Sequence, residues 1–574
     1  MAETLLSPGV LARENDQSFI QGQPLERGAA IIGPAAKGPV EIPTLVGSFS
    51  EYTAIFGGAI ESGSNVYSYL TSIAANNYFQ NGGTSLLVTR VVSGSFTSAT
   101  SSLIPTGSGG PTTGLSPFVL ETISEGTIMN NTGTETSGAL VSGSTDNVRW
   151  EIPTVNTASG TFSLLIRRGD DNNVQKVVLE SYNNLSLDPY ASNYISKVIG
   201  DVSFNLTSDN GDYYIQQTGS YSNLSRYVRV KQVNFNTPQY FDNNGNAKIA
   251  FTGSLPAVSS GSFGSAVGSN IPTGRVANFY NNVNGTDSQG LTGANYSNAI
   301  ALLSNADEYQ YNVISIPGLL ASTHATQTTA LVNNTIGRGD AIAIIDLVPY
   351  ASQINTVINQ ASGFDSSYAA TYWPWLQTID PNTGEAVWIP ASTMIPGVYA
   401  FTDASSDPWF APAGITRGAL GQVIRAERKL TAGNRDDIYE ANVNPIATFP
   451  GSGVTVFGQK TLQKRASALD RVNVRRLLIA LKGFIGQVAE GLVFEQNTAA
   501  TRNNFLSQVN PYLESVQQRQ GLYAFKVVMD ETNNTADVVD RNELVGQIFL
   551  QPTRTAEFIV LDFNVLPTGA VFPA

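Results

Sequence analysis

The 574-residue chain has no cysteine and a net charge of −13. Single hydrophobic cores stop growing at roughly 250–300 residues, so three or four structural units are expected. The missing cysteine excludes disulfides, thiolate catalysis and Cys-ligated zinc, and the acidity disfavours contact with a phosphate backbone. Charged residues make up only 13% and 53 glycines accompany many Ser, Thr and Asn, a mix suited to short strands joined by polar turns. From Gly458 onward 12 Lys and Arg face 11 Asp and Glu, a segment of +1 beside a remainder of −14; this allows complementary packing between copies, or plain solvated faces. The opening Met1–Gly9 lacks a basic segment followed by an apolar core, so a Sec signal is not expected. The most apolar stretches, around 341–347 and 477–485, are shorter than the ~20 residues of a membrane span. A protein made and folded in a cytoplasm is expected, without direct membrane insertion.

Residues 1–25, with Pro8, Gly9, Gly22 and Pro24, read as an extended arm, either a frayed terminus or a strand donated to a neighbour. Ala29–Ile32 reads as a short buried strand ended by Gly33-Pro34. Helical spacing of Val66, Leu70, Ile73, Ala74 and Phe79 predicts a helix over 66–79 closed by Asn81-Gly82-Gly83, and Leu86–Val92 a following strand. Ser93–Gly274 turns rich in Gly, Ser, Thr and Asn. Its opening, Ser93–Gly114, reads as a linker, and β-prone runs follow at 162–166, 176–179, 213–216 and 227–230. α/β patterning returns with a helix over 297–304, a strand over 311–316 stopped by Pro317-Gly318, and strands over 341–346 and 386–389. Val474, Leu477, Leu478, Leu481, Ile485, Val488 and Leu492 mark an amphipathic helix. Phe505, Leu506, Val509, Leu513 and Val516 mark a second, with a kink or restart at Pro511. Strands are expected over 523–529, 544–550 and 558–565.

The resulting fold class is α+β and multidomain. An α/β core domain (26–92 plus 275–455) is interrupted by an inserted β-rich region (93–274), and an α+β domain (456–574) follows.

No catalytic constellation survives. The single histidine, His324, reads as a surface loop residue with no nucleophile-elbow spacing around it. In Gly453–Thr461, Gln459 separates Gly458 from Lys460, which breaks the phosphate-loop pattern. Arg338-Gly339-Asp340 reads as a tight turn before a buried strand. Asp380–Glu385 is a turn without EF-hand spacing. The sequon at Asn130-Asn131-Thr132 is irrelevant without secretion. Aromatics without clustered Lys or Arg give no platform for single-stranded nucleic acid. No metal and no cofactor is expected.

Several blocks, in order, resemble the phage tail sheath family: Ser7-Pro8-Gly9-Val10 with Arg13-Glu14; Ala29–Pro39, Ser50-Glu51-Tyr52 and Phe56-Gly57-Gly58; Phe79–Gly83 leading into Val88–Val91. Glu180–Ile195 and Tyr227–Val230 follow within the insertion, then Ser315–Gly318 and Trp409–Gly414. The most specific are Asn444-Pro445-Ile446, Gly451–Thr461, Val472–Leu477 and Phe494–Asn497, with Pro552-Thr553-Arg554 and Ala556–Ile559 at the end. The resemblance implies a homo-oligomer of hexameric rings, stacked helically around a tail tube protein and bounded by baseplate and tail terminator proteins. Such a virion sheath, assembled in the host cytoplasm, contracts to drive the tube through the host envelope. It further implies that terminal arms exchange strands with neighbouring subunits' C-terminal sheets, here through Val10, Leu11 and Arg13 and through Phe558, Ile559, Val560, Leu561 and Phe563. Arg475 and Arg476, at the head of the first C-terminal helix, are expected either to contact a neighbour or to lie on a solvated face. A tailocin or other contractile injection device has the same requirements. A secreted β-rich adhesin or enzyme would need the signal and the active-site cluster that are not found.

Overall fold

The computed structural model describes residues 27–558 except 63–64, 112–113, 132, 270–279, 281–282 and 284–286. Its described residues form two compact units, one of 27–480 with 554–558 and one of 481–553.

The larger unit holds an eight-stranded sheet in the order Thr44–Val46, Leu86–Arg90, Ala29–Gly33, Val313–Leu320, Ile342–Asp346, Ala369–Trp373, Asn444–Phe449 and Gly453–Val456. The inner pairings are parallel and both outermost pairings antiparallel. Strands buried on both faces read as continuous apolar runs, and alternate residues enter different cores. Ala29 and Ile31 join one hydrophobic cluster while Ala30 and Ile32 join the other; Ile342 and Ile344 face the first, Ala343 and Ile345 the second. Stretches 29–90 and 313–456 thus supply one sheet.

Between them, residues 98–264 build a second, antiparallel sheet around their own core of Trp150, Phe118, Phe162 and Ile166. Its strand order is Val178–Ser186, Thr161–Arg168, Val148–Ile152, Ser259–Gly264, Ser98–Ser101, Phe118–Glu125 and Val228–Val233. A separate hairpin, Ser203–Asp209 with Asp212–Thr218, rests its Leu206, Tyr213 and Ile215 against the second central cluster.

Several sequence expectations change here. The stretch around Val66 is not helical: Asn65–Ser68 pairs with Ala59–Ser62, and the helix starts at Leu70. Val66 fits the helical spacing by coincidence, because Tyr67 and Tyr69 favour extended backbone. The strand expected to stop at Pro317-Gly318 runs on to Leu320, its pairing register shifting between Ser315 and Leu320. Proline gives up its ladder bond at that irregularity. Gly318 sits at φ +90, where an added Cβ would lie 2.8 Å from the Val283 side chain. Ser98–Ser101, expected within a linker, is an inner strand with Ala99 fully buried; the Thr122 hydroxyl accepts from its N–H at 2.9 Å.

In the smaller unit, Ala499–Gln518 is one helix through Pro511, so of the two expected alternatives, kink or restart, the restart does not occur. Leu522–Val528 and Gln547–Pro552 pair antiparallel, slightly displaced from the expected runs. The helix Val472–Glu490 begins in the larger unit. The expected strand over 558–565 lies outside the described residues except for Phe558, which is exposed.

Candidate assembly site

Three of the features singled out in the sequence have a structural explanation. His324 is buried rather than on the surface; it directly precedes the helix Ala325–Arg338, and its Nδ1 lies 3.0 Å from the Thr323 hydroxyl. Gly339 ends that helix in the left-handed conformation, and Arg338 pairs with Asp340 at 2.9 Å, as a tight turn requires. Asp380–Glu385 closes the hairpin of Leu376–Ile379 and Ala386–Ile389. Among the described residues no group of acidic, His or Cys side chains could hold a metal, and no helix is long and apolar enough to cross a membrane.

Arg475 and Arg476 are both buried, so neither lies on a solvated face. Successive helical residues project about 100° apart, which sends the two side chains to different partners. Arg476 forms an ion pair with Asp403 and stacks 4.6 Å from the Tyr399 ring centroid; Tyr399 in turn shares a hydrogen bond of 2.7 Å with Tyr372. Arg475 stacks 3.9 Å from the Tyr368 ring and donates to the Ser367 hydroxyl, and burial pulls its pKa down. Asn473 Nδ2 donates to the Trp409 carbonyl. The charges at the head of this helix are therefore engaged within their own chain.

Sequence reasoning gave no role to the residues around Glu557. Its Oε1 accepts from Arg471 Nε at 2.7 Å and Gln459 Nε2 at 3.0 Å; its Oε2 accepts from Arg471 Nη2 at 3.0 Å and the Tyr439 hydroxyl at 3.0 Å. Gln459 Nε2 also donates to the Thr555 hydroxyl. Burial opposes the charge of Arg471, but the Glu557 carboxylate outweighs it and the arginine pKa rises. A carboxylate within a sparsely charged ending, where Arg554 and Asp562 are the other charged side chains after Glu543, was the available signal. Its partners, 86 to 118 residues away, were not legible.

The hairpin of Leu522–Val528 and Gln547–Pro552 is a sheet of two strands, each with one partner among the described residues. Helix Ala499–Gln518 packs against Leu522–Val528, while Tyr523 and Phe549 are exposed. Two strands alone are marginally stable, and among the described residues no further strand pairs with their outer edges. Of the proposed linking residues, Phe558 is exposed; Val10, Leu11, Arg13, Ile559, Val560, Leu561 and Phe563 lie outside the described residues.

Residues 289–462 match the model of the phage tail sheath protein central domain, and residues 465–565 that of the phage tail sheath C-terminal domain. These two stretches thus carry the domains of the phage tail sheath family. The tail sheath protein of Vibrio phage KVP40 is 36% identical over 245 residues, which cover 38% of this chain and 36% of that protein. The tail sheath protein of Enterobacteria phage T4 is 35% identical over 230 residues, covering 40% and 35% respectively. The chain thus matches little more than a third of the length of these family members. A crystal structure of a sheath tail protein from Listeria innocua shares the fold, with a TM-score of 0.51 over 93% of this chain and 96% of that one, at 11% identity. The terminal hairpin and Glu557 fall inside the C-terminal-domain match, and Tyr439 and Gln459 inside the central-domain match.

Proposed function

We propose that the chain is the subunit of a contractile tail sheath and works by polymerising and rearranging. The carrying observation is the two-stranded hairpin of residues 522–552, a sheet whose outer edges pair with no further strand among the described residues. Those edges accept extended segments from neighbouring copies: the arm around Val10, Leu11 and Arg13 from one, and Phe558–Phe563 from another. An exchange of about six backbone hydrogen bonds, each worth ~1 kcal/mol net, holds subunits together while their broader contacts slide. On this reading hexameric rings stack helically around a tail tube between baseplate and terminator proteins in the virion, after assembly in the host cytoplasm. Contraction exchanges one packing of rigid subunits for another, with the exchanged strands as permanent links. The core domain (26–92 plus 275–455) and the C-terminal domain (456–574) carry the subunit contacts, and the insertion (93–274) decorates the outside.

Negative-stain electron microscopy of the purified chain, beside a variant lacking residues 1–20, tests this. Striated tubes or stacked rings from the full chain, reduced to monomers or single rings by the deletion, are expected. A monodisperse monomer at high concentration, unchanged by the deletion, would overturn the reading.

A further inference from the structure

The segment 481–553 is an excursion: the chain leaves the larger unit at residue 480 and rejoins it at residue 554. The return is abrupt. Thr553 still bonds the Gly521 carbonyl at 3.2 Å, and two residues later the Thr555 hydroxyl accepts from Gln459. Glu557 then meets the guanidinium of Arg471 in a two-bond fork, with Tyr439 and Gln459 completing both carboxylate oxygens. Such forks fix direction as well as distance, because two parallel bonds resist rotation of either partner.

The groups that hold Glu557 are themselves rigidly seated. Gln459 is buried, and its carbonyl accepts from the Val472 N–H at 2.8 Å, tying it to the head of the long helix. Tyr439 lies in the last turn of the helix Ala432–Glu440, with the Lys460 ammonium 4.5 Å from its ring centroid and bonded to its carbonyl at 2.7 Å. Lys460 N–H in turn donates to Asn444, the first residue of a central-sheet strand. Gly458 leaves the ring its seat: a Cβ there would lie 2.9 Å from Tyr439 Cε2. The path from Glu557 to the central sheet is short and wholly within one unit.

We propose that Arg471 and Glu557 form a mechanical tie that closes the base of the 481–553 excursion, so that tension on the chain beyond Phe558 passes into the central sheet and bypasses residues 481–553. This rests on the sheath reading, which makes the C-terminal segment a link under load. Without the tie, the same pull runs along the backbone through 481–553 and strips the hairpin that must hold a neighbour's strand. Glu557 is a positioning residue here: it keeps the acceptor hairpin unloaded while the donor segment is pulled.

The test is single-molecule pulling on the full chain. Since the sequence has no cysteine, one cysteine introduced at Ala404 and one after Ala574 give unique handles. Unfolding of 481–553 releases about 25 nm at ~3.5 Å per residue. In the wild type that release is expected only at the force that breaks the tie; in Glu557→Ala and Arg471→Gln it is expected at a clearly lower force. Equal release forces in wild type and variants would overturn the tie. Limited trypsin digestion provides a second readout. The Arg554–Thr555 bond is expected to be cut about tenfold faster in Glu557→Ala, since local opening governs cleavage, with cutting at Lys526 unchanged as the control for folding. An unchanged rate at Arg554 would likewise count against the tie. Both readouts report on contacts within one chain, so they stand or fall separately from the tube-forming test.

Discussion

The buried guanidinium of Arg90 donates to the main-chain carbonyl of Glu125 at 3.0 Å, joining the last residue of a central-sheet strand to the last residue of a strand in the inserted sheet. The same Nη1 reaches the Gly38 carbonyl, and the Glu125 carboxylate accepts the Val40 N–H at 3.0 Å. Lys37 adds an ion pair with Asp146 at 3.5 Å. The insertion is therefore latched to the core by hydrogen bonds on both sides of one buried cation, whose pKa burial pulls down to about 10. Replacing Arg90 with Met leaves two carbonyls without their donor and removes one of the cations, with Arg229, that favour the Glu125 carboxylate. A loss of about 3 kcal/mol is expected, read as a lower urea midpoint with earlier proteolysis at the boundary of the inserted sheet. Arg90→Lys should recover part of it.

Arg476 and Asp403 make a second prediction. The arginine is buried and the aspartate only partly so, which makes the two truncations unequal. Arg476→Ala removes both the ion pair and the stack on Tyr399 and should cost about 3 kcal/mol. Asp403→Asn keeps the stack and should cost about 1 kcal/mol. Urea midpoints of the two variants check the order.

Asp346 gives stability a dependence on pH. It is buried, bonded by the Ser392 N–H at 3.1 Å and by the Ser392 hydroxyl, and burial raises its pKa to about 6. An acid whose pKa is higher folded than unfolded stabilises most below its unfolded value, near 4, and loses that contribution as pH rises through about 6. The loss is on the order of 3 kcal/mol. Subtracting the urea midpoint of Asp346→Asn from that of the wild type should give a difference that declines from pH 4 to pH 6 and is level above pH 7.

Phe494 is fully exposed and holds φ at +71, a conformation costly for a bulky residue. Phe494→Gly removes the strain, so the monomer should gain about 1 kcal/mol in urea unfolding. If the ring is kept for contact between subunits, tube yield in electron microscopy falls in the same variant. A variant stabler as monomer and poorer as polymer is the expected outcome.

The central sheet was legible because Ala29–Ile32 and Ala341–Asp346 are continuous apolar runs, which only strands covered on both faces require. The long helix was legible from Val474 to Leu492 by spacing alone. Arg475 and Arg476 were not, since an arginine pair at a helix head reads equally as a contact for a neighbour or a solvated face until Asp403, Tyr399 and Tyr368 are brought to it. Glu557 was hidden for the same reason, its partners lying far away in sequence. His324 was misplaced because a Ser/Thr-rich surrounding resembles a surface loop, whereas here the hydroxyl of Thr323 satisfies the buried ring.

The open-edged terminal hairpin carries a consequence for size. Donor segment and acceptor edge on one chain make a head-to-tail contact, and along the direction in which rings stack, where it does not close, nothing in such a contact counts copies. On the sheath reading the subunit has no rule for when to stop adding. The length of the finished particle must then be dictated by whatever it grows along, and overproduction of the subunit alone should give polymers of unlimited, unequal length.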